Sequence, residues 1–292
     1  MAQLLLGKNV ADAINTDLRR RTAALREKGT VPTLAIVRLG DDPSDESYLR
    51  GARKRGQEVG VEVRLLQLPE GTQLSQLLRS LDDLNADDAV HGVLLLRPLP
   101  AALREHTNTI CDRLSPRKDV DGMTAASAAG VFTGSAEVGF PPCTAAACME
   151  ILDYYGIDCR GKSAVVIGRS QVVGKPAAML LLGRDATVTV CHTKTPNTAA
   201  LCRQADIILT AAGVLNSLTG DFVRPGQVVI DVAINYDAGK VTARGVGGIA
   251  GDACFQEVEP IVAAITPVPG GVGGVTNVVL IGHVVEAAER TL

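Results

Sequence analysis

Short apolar runs separated by longer segments of helical periodicity dominate this chain. Such runs fall at 33–39, 61–68, 92–96, 164–167, 187–191, 206–210 and 227–232, and those reading GVLLL, SAVVIG and DIILTA are apolar at successive positions, not at every second one. That pattern belongs to strands covered on both faces by helices in a parallel sheet. Between them, the segment 9–27 carries Val10, Ile14, Leu18 and Leu25 on one face, and 73–84 repeats leucine at helical intervals. A further helix is expected after Asp42-Pro43, with Ser44 able to cap its first turn, running through Tyr48 to about Gly60. The alternation of strand and helix predicts an α/β fold.

Breaks in the pattern divide the chain. Residues 115–122 are polar and turn-rich, and 139–144 interrupt the chain before a helix at 145–155. A second break at 266–274 holds two prolines and four glycines, a composition that predicts the end of any helix or central strand, with a terminal helix following at 275–289. The expected organisation is one domain from 1–143 and 273–292 and a second from 144–272.

Composition narrows the function. The 292 residues are 46% hydrophobic and 21% charged, the balance of a globular protein with a large core. A net charge of -3 leaves no cationic surplus to replace phosphate counterions, so nucleic acid is not an expected partner. No apolar stretch reaches the length of a membrane span and the N-terminus turns polar too early for a signal peptide, so no membrane partner and a cytoplasmic location are expected. Seven scattered cysteines contain no C-x-x-C pair and four histidines lack ligand spacing, which argues for reduced thiols and against a bound metal.

The most informative local pattern is Ser163-Ala-Val-Val-Ile-Gly168-Arg169-Ser170-Gln-Val-Val-Gly174-Lys-Pro176, a strand, a glycine turn and a helix start. Glycine lets the backbone approach a phosphate, whose charge the helix start favours. The pattern departs from G-x-G-x-x-G, because no glycine lies between Gly168 and Gly174. It also departs from the P-loop by one extra residue and by Pro176 in place of the magnesium-binding hydroxyl. Arg169 and Ser170 supply a cation and a hydroxyl suited to a ribose phosphate, which favours NADP, with NAD the second candidate. His192, at the next strand end, is balanced between a phosphate donor and a solvent-facing loop residue. A second cluster comprises Tyr48, the strand end running from His91 to Pro100, and the turn Lys118-Asp119-Val-Asp121-Gly122. Spacing alone favours loop capping for both aspartates.

With these pieces assembled, the chain resembles the FolD-type family, bifunctional methylenetetrahydrofolate dehydrogenase/methenyltetrahydrofolate cyclohydrolase, over nearly its whole length. The matching segments are Tyr48 on its helix, GVLLLRPLP, KDVDG, PPCTA, VVIGRSQVVGKP, CHTKT, VVIDVAIN and TPVPGGVG, in that order. The resemblance implies two α/β domains with parallel sheets, a Rossmann-like NAD(P) domain and a cleft between the domains. It implies a tetrahydrofolate derivative stacked on Tyr48, with its pterin held by Asp121 and the pocket closed by Gly273 and Thr276. It further implies NADP on Gly168, Arg169, Ser170, Thr193 and Ile234, and a homodimer. On this reading Tyr48 and Asp121 are the catalytic residues.

The departures from the family pattern carry information of their own. The family's catalytic lysine falls one helical turn after the tyrosine, where this chain has Ala52, and the glutamine expected to orient it is Leu96. Lys54 is turned to nearly the opposite side of that helix, and Arg55, one turn on, is a guanidinium that accepts protons poorly; partial substitution by Arg55 or Arg97 stays open at this point. Ala145, Ala233 and Gly274-Val275 are smaller departures. The resemblance implies oxidation of 5,10-methylenetetrahydrofolate to the 5,10-methenyl compound with NADP, and the departures predict weak or lost cyclohydrolase activity. The alternatives are a non-catalytic folate- or nucleotide-binding subunit and a dehydrogenase of another small substrate.

Overall fold

The computed structural model describes residues 1–135, 137–242 and 245–292, with side chains described for all of these except 43–45, 47, 48, 240–242, 245 and 246. In chain order the elements are β1 (Gln3–Leu4), α1 (Gly7–Glu27), β2 (Thr33–Leu39), α2 (Pro43–Val59), β3 (Glu62–Leu68), α3 (Leu74–Ala86), β4 (Gly92–Leu95), α4 (Thr107–Cys111), α5 (Ala125–Thr133) and α6 (Cys143–Tyr154). They continue as β5 (Ser163–Ile167), α7 (Gly174–Leu182), β6 (Thr187–Cys191), α8 (Thr198–Gln204), β7 (Ile207–Thr210), β8 (Val228–Asp231), β9 (Asn235–Thr242), β10 (Gly245–Ala250), α9 (Phe255–Val258), β11 (Ala264–Ile265) and α10 (Val272–Glu289).

Two compact units result, one from 12–143 with 277–292 and the other from 1–11 with 144–276. The first holds a three-stranded parallel sheet in the order β3-β2-β4. Its central strand β2 and the edge strand β4 are buried along almost their full length, whereas the opposite edge strand, β3, alternates. This burial explains the continuous apolar runs in the sequence. Ala35, Val37, Val93 and Leu95 pack with Leu77 and Leu81 of α3 and with Leu103 and Ile110. Close to β4, a Cβ on Gly92 would stand 2.7 Å from Val120 and 3.0 Å from Val284 of α10, so only glycine lets that helix and the 118–122 turn approach the strand.

The other unit holds a six-stranded parallel sheet ordered β1-β11-β8-β7-β5-β6. Val165, Ile208, Val229 and Ile265 from four of its strands form a core with Cys191, Cys202 and Val258. β9 and β10 form a separate antiparallel hairpin. All seven cysteines are free thiols, six of them buried. Among the described residues no helix is long and apolar enough to cross a membrane.

The terminal helix starts at Val272, three residues before the position expected from the sequence, so Gly273 and Gly274 lie in its first turn. Val272 and Val275, which flank the two glycines, are buried. The proposed Ser44 cap falls on a side chain outside the described residues.

Candidate functional site

In the first unit the chain leaves β2 toward β3 on one side and returns as β4 on the other, so the loops after β2 and β4 part at their carboxyl ends. Such a switch point opens a crevice. α2 begins after β2, and Leu96-Arg97-Pro98 follows β4, with Leu96 N donating to Val37 O at 2.9 Å. The Lys118–Gly122 turn is laced to the same strand by Val93 N donating to Lys118 O at 2.7 Å. Gly122 is fixed by its backbone: its φ is +68°, and a Cβ would stand 2.5 Å from Pro142 N.

The two aspartates of this turn separate into different roles. Asp119 is fully buried and accepts from Met123 N at 2.9 Å, Thr124 N at 2.8 Å and Ser127 Oγ at 2.6 Å, the capping role that spacing favoured. Asp121 does not cap. Its carboxylate keeps 26% of its surface exposed and faces the Arg97 guanidinium at 3.6 Å. Burial raises its pKa to about 6 against the lowering charge of Arg97, with Asp119 raising it further and the Cys143 thiol lowering it. Lys118 faces elsewhere, donating to Leu84 O at 2.9 Å and Asp87 O at 2.7 Å at the end of α3.

Behind Asp121, the Val120 carbonyl accepts from Cys143 Sγ at 3.2 Å and from His283 Nδ1 at 2.8 Å. The His283 ring lies 5.0 Å from that of Phe140, over which Arg290 stacks at 4.2 Å. Burial lowers the His283 pKa and pushes the Cys143 thiol well above the ordinary thiol range.

On α2, Tyr48 has its side chain outside the described residues. Ala52, one turn later, is buried at 5% exposure. Lys54 is exposed and pairs with Glu58 at 4.0 Å, Arg55 is half-buried, and Leu96 is half-buried. Gly273 is exposed in the first turn of α10, and Thr276 donates through its hydroxyl to Val272 O at 3.3 Å. Both group with the second unit, apart from Asp121.

In the second unit the order β6-β5-β7 makes another switch point at the carboxyl end of β5. Gly168 sits there with φ +113°, and a Cβ on it would stand 2.4 Å from Ala211 O after β7. A Cβ on Gly174 would stand 2.3 Å from Gly168 O, so the start of α7 folds directly onto the turn. Ser170 Oγ accepts from Val173 N at 3.1 Å and Gly174 N at 3.3 Å, capping α7 while its own proton stays available. Arg169 is exposed without an ion-pair partner among the described residues.

β6 pairs with β5 as far as Cys191 opposite Ile167, and exposed Thr193 and Lys194 follow that strand end as exposed Arg169 follows the end of β5. His192 Nδ1 accepts from Lys194 N at 3.1 Å, leaving Nε2 to carry the proton. Ile234, just past β8, is 68% exposed, whereas the neighbouring Ala233 is buried.

Two further residues, Asp231 and Asp252, were missed in the sequence. Buried Asp252 accepts from Thr210 Oγ1 at 2.9 Å, Ala212 N at 2.7 Å, Gly213 N at 3.2 Å, Val214 N at 2.8 Å and Asn235 Nδ2 at 3.1 Å. It thereby fixes the loop whose Ala211 carbonyl adjoins Gly168. Asp231 accepts in turn from Asp252 N at 3.1 Å and Ala253 N at 2.8 Å, and burial raises its pKa to about 6. An aspartate closing the apolar run Val228-Val-Ile-Asp231 was the available signal.

Comparison with known proteins agrees with this geometry. The family model for the tetrahydrofolate dehydrogenase/cyclohydrolase catalytic domain matches residues 5–121, and that for the NAD(P)-binding domain of the same family matches residues 142–292. The chain is 47% identical over 289 residues to the bifunctional protein FolD of Carboxydothermus hydrogenoformans, covering 99% of this chain and 98% of that one. It is 44% identical to FolD of Paracidovorax citrulli with the same coverage. Among solved structures, the bifunctional FolD of Campylobacter jejuni superposes with a TM-score of 0.92 at 38% identity, covering all of both chains. FolD of Trypanosoma brucei, complexed with NADP cofactor and inhibitor, gives 0.89 at 33% identity, covering 99% of this chain and 98% of that one.

Proposed function

The chain belongs to the tetrahydrofolate dehydrogenase/cyclohydrolase family, and from that premise we propose that it oxidises 5,10-methylenetetrahydrofolate to 5,10-methenyltetrahydrofolate with NADP while having lost most or all cyclohydrolase activity. The observation that carries the second half is Ala52, a buried methyl one turn after Tyr48, together with Leu96 at the β4 end.

Hydride loss from the methylene carbon leaves a cation on the folate, and no side-chain proton transfer is compulsory. This step needs two rings held in contact and a tolerated positive charge. Asp121 supplies negative charge, and its open oxygens suit the paired N–H donors of a pterin edge. Tyr48 is the proposed stacking platform. Hydrolysis of the methenyl cation instead adds water and moves protons, the work of a base with a tuned pKa. A methyl group cannot accept a proton, Leu96 cannot orient one, Lys54 faces solvent, and the Arg97 guanidinium is a poor proton acceptor.

The glycine cradle at Gly168 and Gly174 leaves the backbone uncovered where a pyrophosphate would approach, so the residues present fit a dinucleotide. Gly168, Ser170 and Ile234 would hold its body, and exposed Arg169 beside Thr193 would hold a ribose phosphate, which favours NADP over NAD. When bound, the nicotinamide supplies the hydride acceptor. On this reading the protein works in the cytoplasm as a homodimer.

The test is the initial rate of NADPH formation from 5,10-methylenetetrahydrofolate, run in parallel with NAD. Formation with NADP supports the proposal. No reduction of either nucleotide, with melting shifts from both ligands, would instead support a binding subunit.

A further inference from the structure

We propose that Arg97 is a positioning residue that holds the Asp121 carboxylate charged and aimed for the pterin, an inference that rests on the function proposed above. Arg97 leaves the sheet immediately after β4, at the crevice, and its Nη2 stands 3.6 Å from Asp121 Oδ2. That distance gives a Coulombic contact and not a hydrogen bond. The guanidinium therefore acts on the carboxylate through charge and leaves its hydrogen-bonding capacity, apart from the bond from the Cys143 thiol, to donors from a ligand. Both side chains are partly exposed, at 32% and 26%, so the pair borders solvent and is not sealed in the core.

The other groups acting on Asp121 cannot substitute for Arg97. Asp119, on the same turn, repels charge on Asp121, and its own oxygens are taken by Met123, Thr124 and Ser127. Cys143, at the start of α6, is a buried neutral thiol. His283 from α10 stands behind Cys143 and is kept neutral by burial. Arg97 is thus the cation that opposes burial at this carboxylate. Its role also differs from that of the missing lysine: a permanently charged guanidinium favours ionised Asp121 and does not shuttle protons.

The experiment follows Asp121 directly and through turnover. In the full-length protein, the side-chain carboxyl carbon of Asp121, assigned by its loss in Asp121→Asn, is titrated by carbon-13 NMR in wild type, Arg97→Met and Arg97→Lys. The midpoint near pH 6 in wild type should rise by about one pH unit in Arg97→Met and return toward wild type in Arg97→Lys. The KM for 5,10-methylenetetrahydrofolate should then rise in Arg97→Met about twofold at pH 7 and about threefold at pH 6.5, as that change in ionised fraction requires. The KM for NADP should not move. An unchanged midpoint in Arg97→Met overturns the inference, as does an Arg97→Met protein whose folate KM keeps the wild-type pH profile. Absence of turnover in every protein would remove the proposed function, and the carbon-13 titration would still decide the part played by Arg97.

Discussion

Asp119 and Asp121 lie two residues apart on one turn, yet the first accepts three hydrogen bonds in full burial while the second turns its carboxylate to Arg97 at the mouth of the crevice. The turn achieves this because Gly122 adopts a left-handed conformation against Phe140 and Pro142. One aspartate builds the site and the other remains free to use it.

This division predicts opposite mutant phenotypes. Asp119→Ala leaves two backbone amides and a hydroxyl without their acceptor and should lower unfolding free energy by roughly 2–4 kcal/mol. Asp121→Ala removes a carboxylate whose ionisation burial disfavours, so it should not lower stability at neutral pH, while it abolishes folate turnover and preserves NADP binding. Urea denaturation and cofactor titration of the two variants check both statements.

Gly168→Ala should weaken NADP binding by at least about tenfold, because the new methyl meets the Ala211 carbonyl at a φ that disfavours any side chain. Folate binding in the other unit should change little. Separate titrations with each ligand distinguish this from general unfolding.

His283 provides a pH test. Burial depresses its folded pKa below the ordinary 6.5, against the raising effect of the Val120 carbonyl, so the unfolded chain binds the proton first as pH falls. Its contribution is complete above pH 6.5 and is lost as pH falls through the folded value. Asp121 and Asp231 act in the opposite sense: their folded values near 6 lie above the ordinary 3.8, so their contribution is full below 3.8 and lost as pH rises through 6. Comparison with His283→Gln isolates the histidine. The stability advantage of wild type over this variant should shrink as pH is lowered from 7.5 to 5, measured by urea denaturation at each pH.

Much of the fold was legible because strands such as β2, β4 and β7 are buried at nearly every position, which writes itself as an unbroken apolar run. The two-residue strands β1 and β11 are too short to show any period, and the hairpin of β9 and β10 carries glycines and polar residues outside that pattern. In the site, Gly168 and Arg169 could be read from the strand, turn and helix sequence. The different duties of Asp119 and Asp121 could not, since two carboxylates on one turn look alike until the backbone fixes which one meets the amides. Asp252 was hidden for the same reason: its partners lie about forty residues earlier, in the loop after β7.

Restoring the missing groups tests what was lost. The double variant Ala52→Lys, Leu96→Gln should gain measurable hydrolysis of 5,10-methenyltetrahydrofolate, followed by decay of its absorbance. Ala52 is buried, so the lysine should also cost stability, and a melting measurement must accompany the assay. No gain in a folded variant would mean that further changes, such as Gly274-Val275, also shape the pocket.

The most direct test of the central claim is a single assay of wild-type protein with 5,10-methylenetetrahydrofolate and NADP, following NADPH and the methenyl product separately. The account predicts that the two accumulate together in equal amounts, with the methenyl compound lost only at its uncatalysed rate. Formation of NADPH without that accumulation would contradict it, showing that hydrolysis proceeds without a lysine at position 52.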